Sequence, residues 1–128
     1  MNQLELTAKE VVDSAYTVHK ELGQRLLESA YQFCLENELR FRGLNVEKEK
    51  PLPLKYREQF LDCGYRVDLL VEGKIILELK SVEALLPIHT AQILTYLRLS
   101  NLHLGFLINF NTQLFKNGIK HIVFNLEE

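Results

Sequence analysis

The fold is decided by residues 65–80, which read YRVDLLVEGKIILELK. Two runs rich in aliphatic side chains flank the triplet EGK at 72–74, and a glycine between such runs is typical of a β-hairpin. The pattern predicts extended segments over 60–71 and 74–80. Because a shift of one residue sends every side chain to the opposite face, the length of the loop decides which residues share a face.

A three-residue loop at 72–74 gives the hairpin a consistent register. It makes one face wholly aliphatic, with the pairs Val71–Ile75, Leu69–Leu77 and Val67–Leu79. It places three further pairs on the other face: Leu70–Ile76, Asp68–Glu78 and Arg66–Lys80. A two-residue turn would instead set Asp68 opposite Leu77 and mix charged with aliphatic side chains on both faces. The three-residue loop is the better hypothesis.

In this register Asp68 and Glu78 lie directly across neighbouring strands, where Cβ atoms are about 5 Å apart and like charges destabilise the pair. A hard divalent cation such as Mg²⁺ would compensate, since it takes oxygen ligands from one or two carboxylates and keeps positions for water and phosphate. Lys80 points the same way, and its ammonium could orient or deprotonate a water. These are the components of a phosphodiesterase site.

The same spacing also has a purely structural explanation. On an exposed sheet face, Arg66 and Lys80 would neutralise Asp68 and Glu78 through surface ion pairs. An Asp followed by Glu-x-Lys is a short pattern, so it does not separate the two alternatives.

Length and composition indicate a soluble globular protein with one domain over residues 1–128, and the helical and extended periodicities described next indicate an α/β fold. The chain is 47% hydrophobic and 25% charged, and at this length about two-thirds of the unfolded surface can be buried. It has no run of 18 apolar residues and no signal-like N-terminus, so we expect a cytoplasmic protein without membrane contact. Cys34 and Cys63 lack the spacing of a metal site and are expected to be buried free thiols. A net charge of −2 argues against a strongly basic nucleic-acid surface.

Helical and extended periodicities organise the rest of the chain. Helices are predicted over 7–22, where Thr7 and Glu10 have capping-box spacing, and over 26–42 and 87–100. Residues 44–56 predict an irregular edge strand because Pro51 and Pro53 cannot donate to a ladder. Two late strands are predicted over 103–109 and 119–125. The order is α-α-β-β-β-α-β-β.

Two segments carry a family resemblance. Residues 62–111, which include the hairpin and the helix after it, are similar to the GxxExxY family of PD-(D/E)XK nuclease-like proteins. Residues 21–44, ELGQRLLESAYQFCLENELRFRGL, resemble the N-terminal part of that family. One departure is visible, since Arg25 stands where the glycine of the family's motif is expected, whereas Glu28 and Tyr31 are kept.

The resemblance implies a restriction-endonuclease-like αβββαβ core with a mixed sheet flanked by helices. It also implies a metal-dependent phosphodiester site with Asp68 and the Glu78-Leu79-Lys80 triplet, together with Glu28 from the first core helix. On the helix after the site, Gln92 and Tyr96 would represent a Gln-x-x-x-Tyr element that positions substrate. His89 shares the general face of Gln92, so an accessory phosphate contact or a polar residue at the helix start both fit it.

Two functions from different classes follow. The first is a Mg²⁺- or Mn²⁺-dependent nuclease with Glu28, Asp68 and Glu78 at the metal and with Lys80, Gln92 and Tyr96 as catalytic and positioning groups. Nucleic acid, DNA ahead of RNA, would be its partner, and a homodimer would suit double-strand chemistry. The second is a non-catalytic binding or assembly module on the same fold, motivated by the acidic pI of 6.1. A small-molecule enzyme has little support because phosphate-binding and nucleophile motifs are lacking.

Overall fold

The computed structural model describes residues 1–126. Its helices are α1 (Gln3–Leu22), α2 (Glu28–Phe41) and α3 (Pro87–Ser100). Its strands are β1 (Val46–Pro51), β2 (Leu54–Tyr56), β3 (Gln59–Leu61), β4 (Arg66–Val71), β5 (Ile75–Lys80), β6 (Leu104–Asn109) and β7 (Ile119–Val123). A 3₁₀ turn at Phe115–Asn117 precedes β7. Over the described residues no helix has the length and apolarity needed to cross a membrane.

Five strands form one mixed sheet in the order β1-β4-β5-β6-β7. Strands β5 and β6 run parallel because α3 connects them, whereas the other neighbours are antiparallel. Strands β2 and β3 form a separate two-stranded sheet. Without that insertion, the order α2-β1-β4-β5-α3-β6 is the predicted αβββαβ core, so the α/β restriction-endonuclease-like class is confirmed.

Helices cover both faces of the sheet. The cores of α1 and α2 pack on one face, where Val11 and Leu35 belong to the same cluster as Leu77. On the other face, Ile93 of α3 packs over β6. A Cβ added at Gly105 would lie 2.9 Å from Cδ1 of Ile93, so the glycine permits close approach of the helix. This contact fixes where α3 presents its polar side chains.

The predicted start of α1 at Thr7 is wrong. The helix begins at Gln3, because the Asn2 side chain caps it by accepting a hydrogen bond from the Glu5 N–H at 2.8 Å. Thr7 lies inside the helix, where its hydroxyl donates to the carbonyl of Gln3. The predictions for α2, α3 and β6 agree with the structure to within two residues at each end.

The predicted strand over 60–71 is in fact two strands in two sheets. A loop at 62–65 separates β3 from β4, with Gly64 at φ +87° and its N–H donating to the Asp62 side chain. Likewise 44–56 divides into β1, which is the expected edge strand, and β2. Cys63 lies in the loop and is exposed, so the prediction of two buried thiols is wrong for it; Cys34 is half-buried.

Candidate metal centre

The turn half of the β4–β5 hairpin has the predicted register. Leu69 pairs with Leu77, Leu70 with Ile76 and Val71 with Ile75. A three-residue loop at 72–74 therefore connects the strands, with Glu72 and Gly73 both at positive φ. Asp68 and Glu78 are the next residues beyond the last pair of this ladder, one on each strand.

Beyond the Leu69–Leu77 pair, the backbone N–H groups donate to side chains of the opposite strand and not to its backbone carbonyls. The Asp68 N–H donates to Oε2 of Glu78 at 2.8 Å, and the Leu79 N–H donates to Oδ2 of Asp68 at 2.8 Å. Each carboxylate thus satisfies a backbone donor on the opposite strand. The regular alternation also ends here, since Val67 packs with the α3-side cluster and not on the predicted aliphatic face with Leu79.

Both carboxyl groups are held in an environment that disfavours their charge. Glu78 is only 4% exposed, and burial together with the neighbouring Asp68 raises the pKa of Glu78 to about 8. Burial likewise raises the pKa of Asp68, although the Leu79 N–H and the charge of Lys80 act in the opposite direction. The pair therefore resists ionisation of both groups unless positive charge arrives.

Lys80 is half-buried at the end of β5 and supplies part of that positive charge. It forms none of the ion pairs within 4 Å found over residues 1–126, yet its charge lowers the pKa of both Asp68 and Glu78. Arg66 pairs instead with Asp62 at 3.1 Å. The alternative in which Arg66 and Lys80 neutralise the two acids by surface ion pairs is therefore wrong.

Glu28 is the exposed first residue of α2, and the loop before it is tied down at several points. The Tyr31 hydroxyl donates to the carbonyl of Gly23 at 2.7 Å and accepts from the Leu26 N–H at 3.2 Å. The Ser81 hydroxyl, next to Lys80, donates to the Leu26 carbonyl at 2.6 Å. The charge of Glu28 contributes to the raised pKa of Asp68, so this helix start lies near the pair.

Arg25, in the same loop, adopts the left-handed backbone with φ +75°. This is the position at which the resemblance expects glycine, the residue that takes positive φ at no steric cost. Arginine therefore takes a conformation here that is strained for a residue with a Cβ.

On α3, Gln92 and Tyr96 form a hydrogen-bonded pair one turn apart. The Gln92 Nε2 donates to the Tyr96 hydroxyl at 3.1 Å. Tyr96 is buried, and burial, followed by the charges of Glu78 and Asp68, raises its pKa. His89 instead accepts the Leu86 N–H at 3.0 Å, which makes it a cap of the helix start and supports the structural reading.

Glu49 of β1 is an acid near the site that the sequence pattern did not reveal. Its neighbours Lys48 and Lys50 pair with Leu69 and Val67, which places Glu49 opposite Asp68. Glu49 itself has φ +50°, is skipped by the ladder and accepts a hydrogen bond from Gln32 at 2.8 Å. Its charge contributes to the raised pKa of both Asp68 and Glu78. Only the pairing of β1 with β4 selects it from the other acids of its strand.

Asn109 is a second residue that the pattern did not single out. It is buried at the end of β6, where it pairs with Lys80 across the parallel strands. Its amide holds Val82 in both directions, accepting from the N–H at 3.1 Å and donating to the carbonyl at 2.9 Å. The backbone that follows Lys80 is therefore fixed.

The oxygen atoms of Asp68 and Glu78 are suited to a hard divalent cation. Over residues 1–126, no three His, Cys, Asp or Glu side chains lie close enough together to form a metal cluster; Glu28 and Glu49 thus stand back from the pair. Each carboxylate uses one oxygen on a backbone N–H, and the other accepts no hydrogen bond from the described residues. Two carboxylate ligands with the remaining positions left to water and phosphate is an arrangement Mg²⁺ accepts.

The core topology and the paired carboxylates beside a lysine define a nuclease-like α/β protein. Residues 5–122 match the PD-(D/E)XK nuclease superfamily, and the chain belongs to that superfamily. No curated protein and no solved structure gives a significant match to the chain. Membership supports a nuclease-like function in general, with nucleic acid as the substrate class and a general dependence on divalent metal.

Proposed function

We propose that this protein is a Mg²⁺- or Mn²⁺-dependent nuclease that hydrolyses phosphodiester bonds of nucleic acid. The observation that carries the proposal is the Asp68–Glu78 pair, in which a half-buried and a buried carboxyl group each accept a backbone N–H from the opposite strand. Such a pair is costly to ionise without a cation. Membership in a nuclease superfamily supplies the reaction class.

In this proposal Asp68 and Glu78 hold the cation, and Glu28 assists from the start of α2. A bound divalent cation would lower the pKa of a water and offset charge on the phosphate. Glu78, whose pKa is raised to about 8, must lose its proton when metal binds, so binding releases protons and strengthens as pH rises.

The remaining groups act on the substrate and on the attacking water. The Lys80 ammonium would orient the water or stabilise negative charge on the phosphate. Asn109, which pairs with Lys80 across the sheet, holds the backbone that follows it. The Tyr96 hydroxyl, held by Gln92 at 3.1 Å, would position a phosphate oxygen or the water. Glu49 lies opposite Asp68 and would bind water at the edge of the site.

Finer assignments belong to the same proposal. The Tyr31 hydroxyl of α2, which hydrogen-bonds the loop before the helix, and the positive φ of Arg25 support membership in the GxxExxY family. We further propose DNA ahead of RNA as the substrate, a cytoplasmic location and a homodimer whose two sites would serve double-strand cleavage. The arrangement over residues 1–128 as one domain is part of the proposal.

A second candidate keeps the fold without the chemistry. The net charge of −2 and the pair's lack of a third close acid in the described residues favour a non-catalytic binding or assembly module. In that case the carboxylates would serve only as acceptors for the N–H groups of Asp68 and Leu79.

Calorimetric titration of Mg²⁺ and of Mn²⁺ at a pH above 8.5, followed by incubation with single- and double-stranded DNA and RNA, tests the proposal. The variant is Asp68→Asn, because asparagine can still accept the Leu79 N–H, whereas alanine would leave that donor unsatisfied at a cost of about 1–3 kcal/mol. Asp62→Asn is the matched control, since Asp62 lies in the exposed loop before β4.

We expect wild type and Asp62→Asn to bind metal and cleave, and Asp68→Asn to bind metal at least roughly tenfold more weakly and to lose cleavage. Wild type that binds neither metal would refute the nuclease proposal and leave the binding module. Metal binding without cleavage of any of the four substrates would have the same consequence for catalysis.

A further inference from the structure

A small arm projects from the sheet close to the carboxylate pair. We define the arm as residues 54–61, in which β2 and β3 pair through a turn at Arg57 and Glu58. Nearly all of its residues are exposed. Neither Tyr56 nor Phe60 belongs to the two hydrophobic clusters that form the core of the described residues.

Two exposed aromatic rings of the arm each have a cation over them. Tyr56 is 59% and Phe60 70% exposed. The Lys55 Nζ lies 5.9 Å from the centroid of the Phe60 ring, and the Arg57 Cζ lies 5.7 Å from that of Tyr56. Lys55 also pairs with Glu58 at 3.6 Å, but an exposed pair of this kind is weak and exchanges readily for a phosphate.

Rings beside cations match the chemistry of a nucleic-acid strand. Bases stack on aromatic side chains, and lysine or arginine attracts the adjoining phosphates. A protein partner would also cover apolar rings, yet it would gain little from a cation beside each ring. The match is better for unpaired bases than for a duplex, in which the base faces are already stacked on one another.

The arm also has the right place relative to the site. It leaves the sheet between Pro51 and Arg66, which pair across β1 and β4. Asp68 is two residues further along β4, or about 7 Å at the rise of a β-strand. At the base of the arm, just before β4, the ring of Tyr65 lies 6.2 Å from that of Tyr96, in edge contact. The exposed Tyr65 thus links the base of the arm to the buried Tyr96 of α3, which forms the hydrogen-bonded pair with Gln92.

We propose that the arm is a stacking platform for unpaired bases of a nucleic-acid strand whose backbone passes the Asp68–Glu78 pair. Tyr56 and Phe60 stack on the bases, and Lys55 and Arg57 contact the flanking phosphates. The inference rests on the proposed nuclease function and makes it specific: the substrate enters as a single strand or an unpaired end.

Binding is measured in EDTA, so that cleavage does not interfere, by fluorescence anisotropy of a labelled single strand and of a blunt duplex of the same sequence. The variants are Tyr56→Leu and Phe60→Leu, which keep an apolar side chain but remove the ring. Phe41→Leu is the matched control, because Phe41 is 87% exposed at the far end of α2. Thermal melting of each variant checks that the fold is intact. Metal-dependent hydrolysis of bis(p-nitrophenyl) phosphate, which carries no base, reports on the carboxylate site separately.

We expect each arm variant to bind the single strand roughly tenfold more weakly, to bind the duplex as wild type does and to retain hydrolysis of the small phosphodiester. Phe41→Leu should leave all three measurements unchanged. Wild-type affinity in both arm variants, or no single-strand binding by wild type, would overturn the inference and assign the rings to another partner. Absence of hydrolysis in wild type alongside ring-dependent binding would instead refute the nuclease proposal and leave the platform standing.

Discussion

The two halves of the β4–β5 hairpin belong to the same pair of antiparallel strands but differ in the groups that form their cross-strand hydrogen bonds. In the turn half, Leu69 to Val71 pair with Ile75 to Leu77 through a regular ladder, and the side chains pack in the core. In the open half, the backbone N–H groups of Asp68 and Leu79 donate hydrogen bonds to the side-chain carboxyl groups of Glu78 and Asp68. The turn half is a continuous part of the core, whereas the open half places two carboxyl groups side by side, with Glu78 buried and Asp68 half-buried.

The fold packs anchored elements around the open half, where placing two carboxyl groups side by side costs free energy. The open half is enclosed by elements that are themselves well anchored, including α2 through Tyr31 and β6 through Asn109. Burial in this enclosure is what raises the pKa of Glu78. The site therefore depends on the stability that the turn half and its helices provide.

Leu77→Ala should produce the largest effect, because Leu77 is fully buried in the turn half. A large-to-small change in such a core costs about 2–5 kcal/mol of unfolding free energy. Urea denaturation measures it, with Leu61→Ala in the exposed arm as the control that should cost well under 1 kcal/mol. A small effect at Leu77 would show that the turn half is not the stable part of the hairpin.

Glu78→Gln should raise the unfolding free energy, whereas Leu77→Ala lowers it, and the effect should depend on pH. Because the folded protein holds the Glu78 proton up to a pKa of about 8 while the unfolded chain releases it near 4.5, metal-free wild type binds more protons folded than unfolded between these values. Its stability should therefore fall as pH rises through that window, by on the order of 2–4 kcal/mol.

Glutamine removes this ionisation and can still accept the Asp68 N–H. In EDTA, Glu78→Gln should match wild type near pH 5 and exceed it at pH 8.5, with Glu47→Gln at an exposed position of β1 as the control. Thermal melting at the two pH values measures the difference. Adding Mg²⁺ at pH 8.5 should stabilise wild type and Glu47→Gln but not Glu78→Gln. Equal melting temperatures of wild type and Glu78→Gln at both pH values would contradict the claim that ionisation of Glu78 destabilises the folded protein.

Arg25→Gly should give the smallest effect and tests strain beside the open half. Glycine accepts the φ of +75° that arginine takes with strain, so we expect a gain of about 0.5–1 kcal/mol. Gln24→Gly, at a neighbouring position without positive φ, should instead lose a few tenths of a kcal/mol. Urea midpoints distinguish the two; a loss in both variants would show that Arg25 contributes contacts that outweigh its strain.

Much of the fold could be predicted because it is written in local patterns. The hairpin register followed from keeping aliphatic residues on one face, and α3 followed from Pro87 and the spacing after it. The sequence pattern did not separate the arm from β4, because residues 60–71 all look extended. The break at Gly64 becomes visible only when β3 and β4 are seen to belong to different sheets. The start of α1 was missed because Asn2 and Thr7 are both acceptable caps.

The sequence alone determined the α/β class, the facing positions of Asp68 and Glu78 and the neighbouring Lys80, since these depend on alternation and loop length within a single hairpin. Tertiary structure decided that Glu78 is buried, that Glu49 faces Asp68 and that Asn109 holds the chain beyond Lys80. Each of these follows from strands or helices distant in sequence. Burial and cross-strand neighbours are properties of the packed sheet, and no local pattern encodes which distant strand will lie alongside.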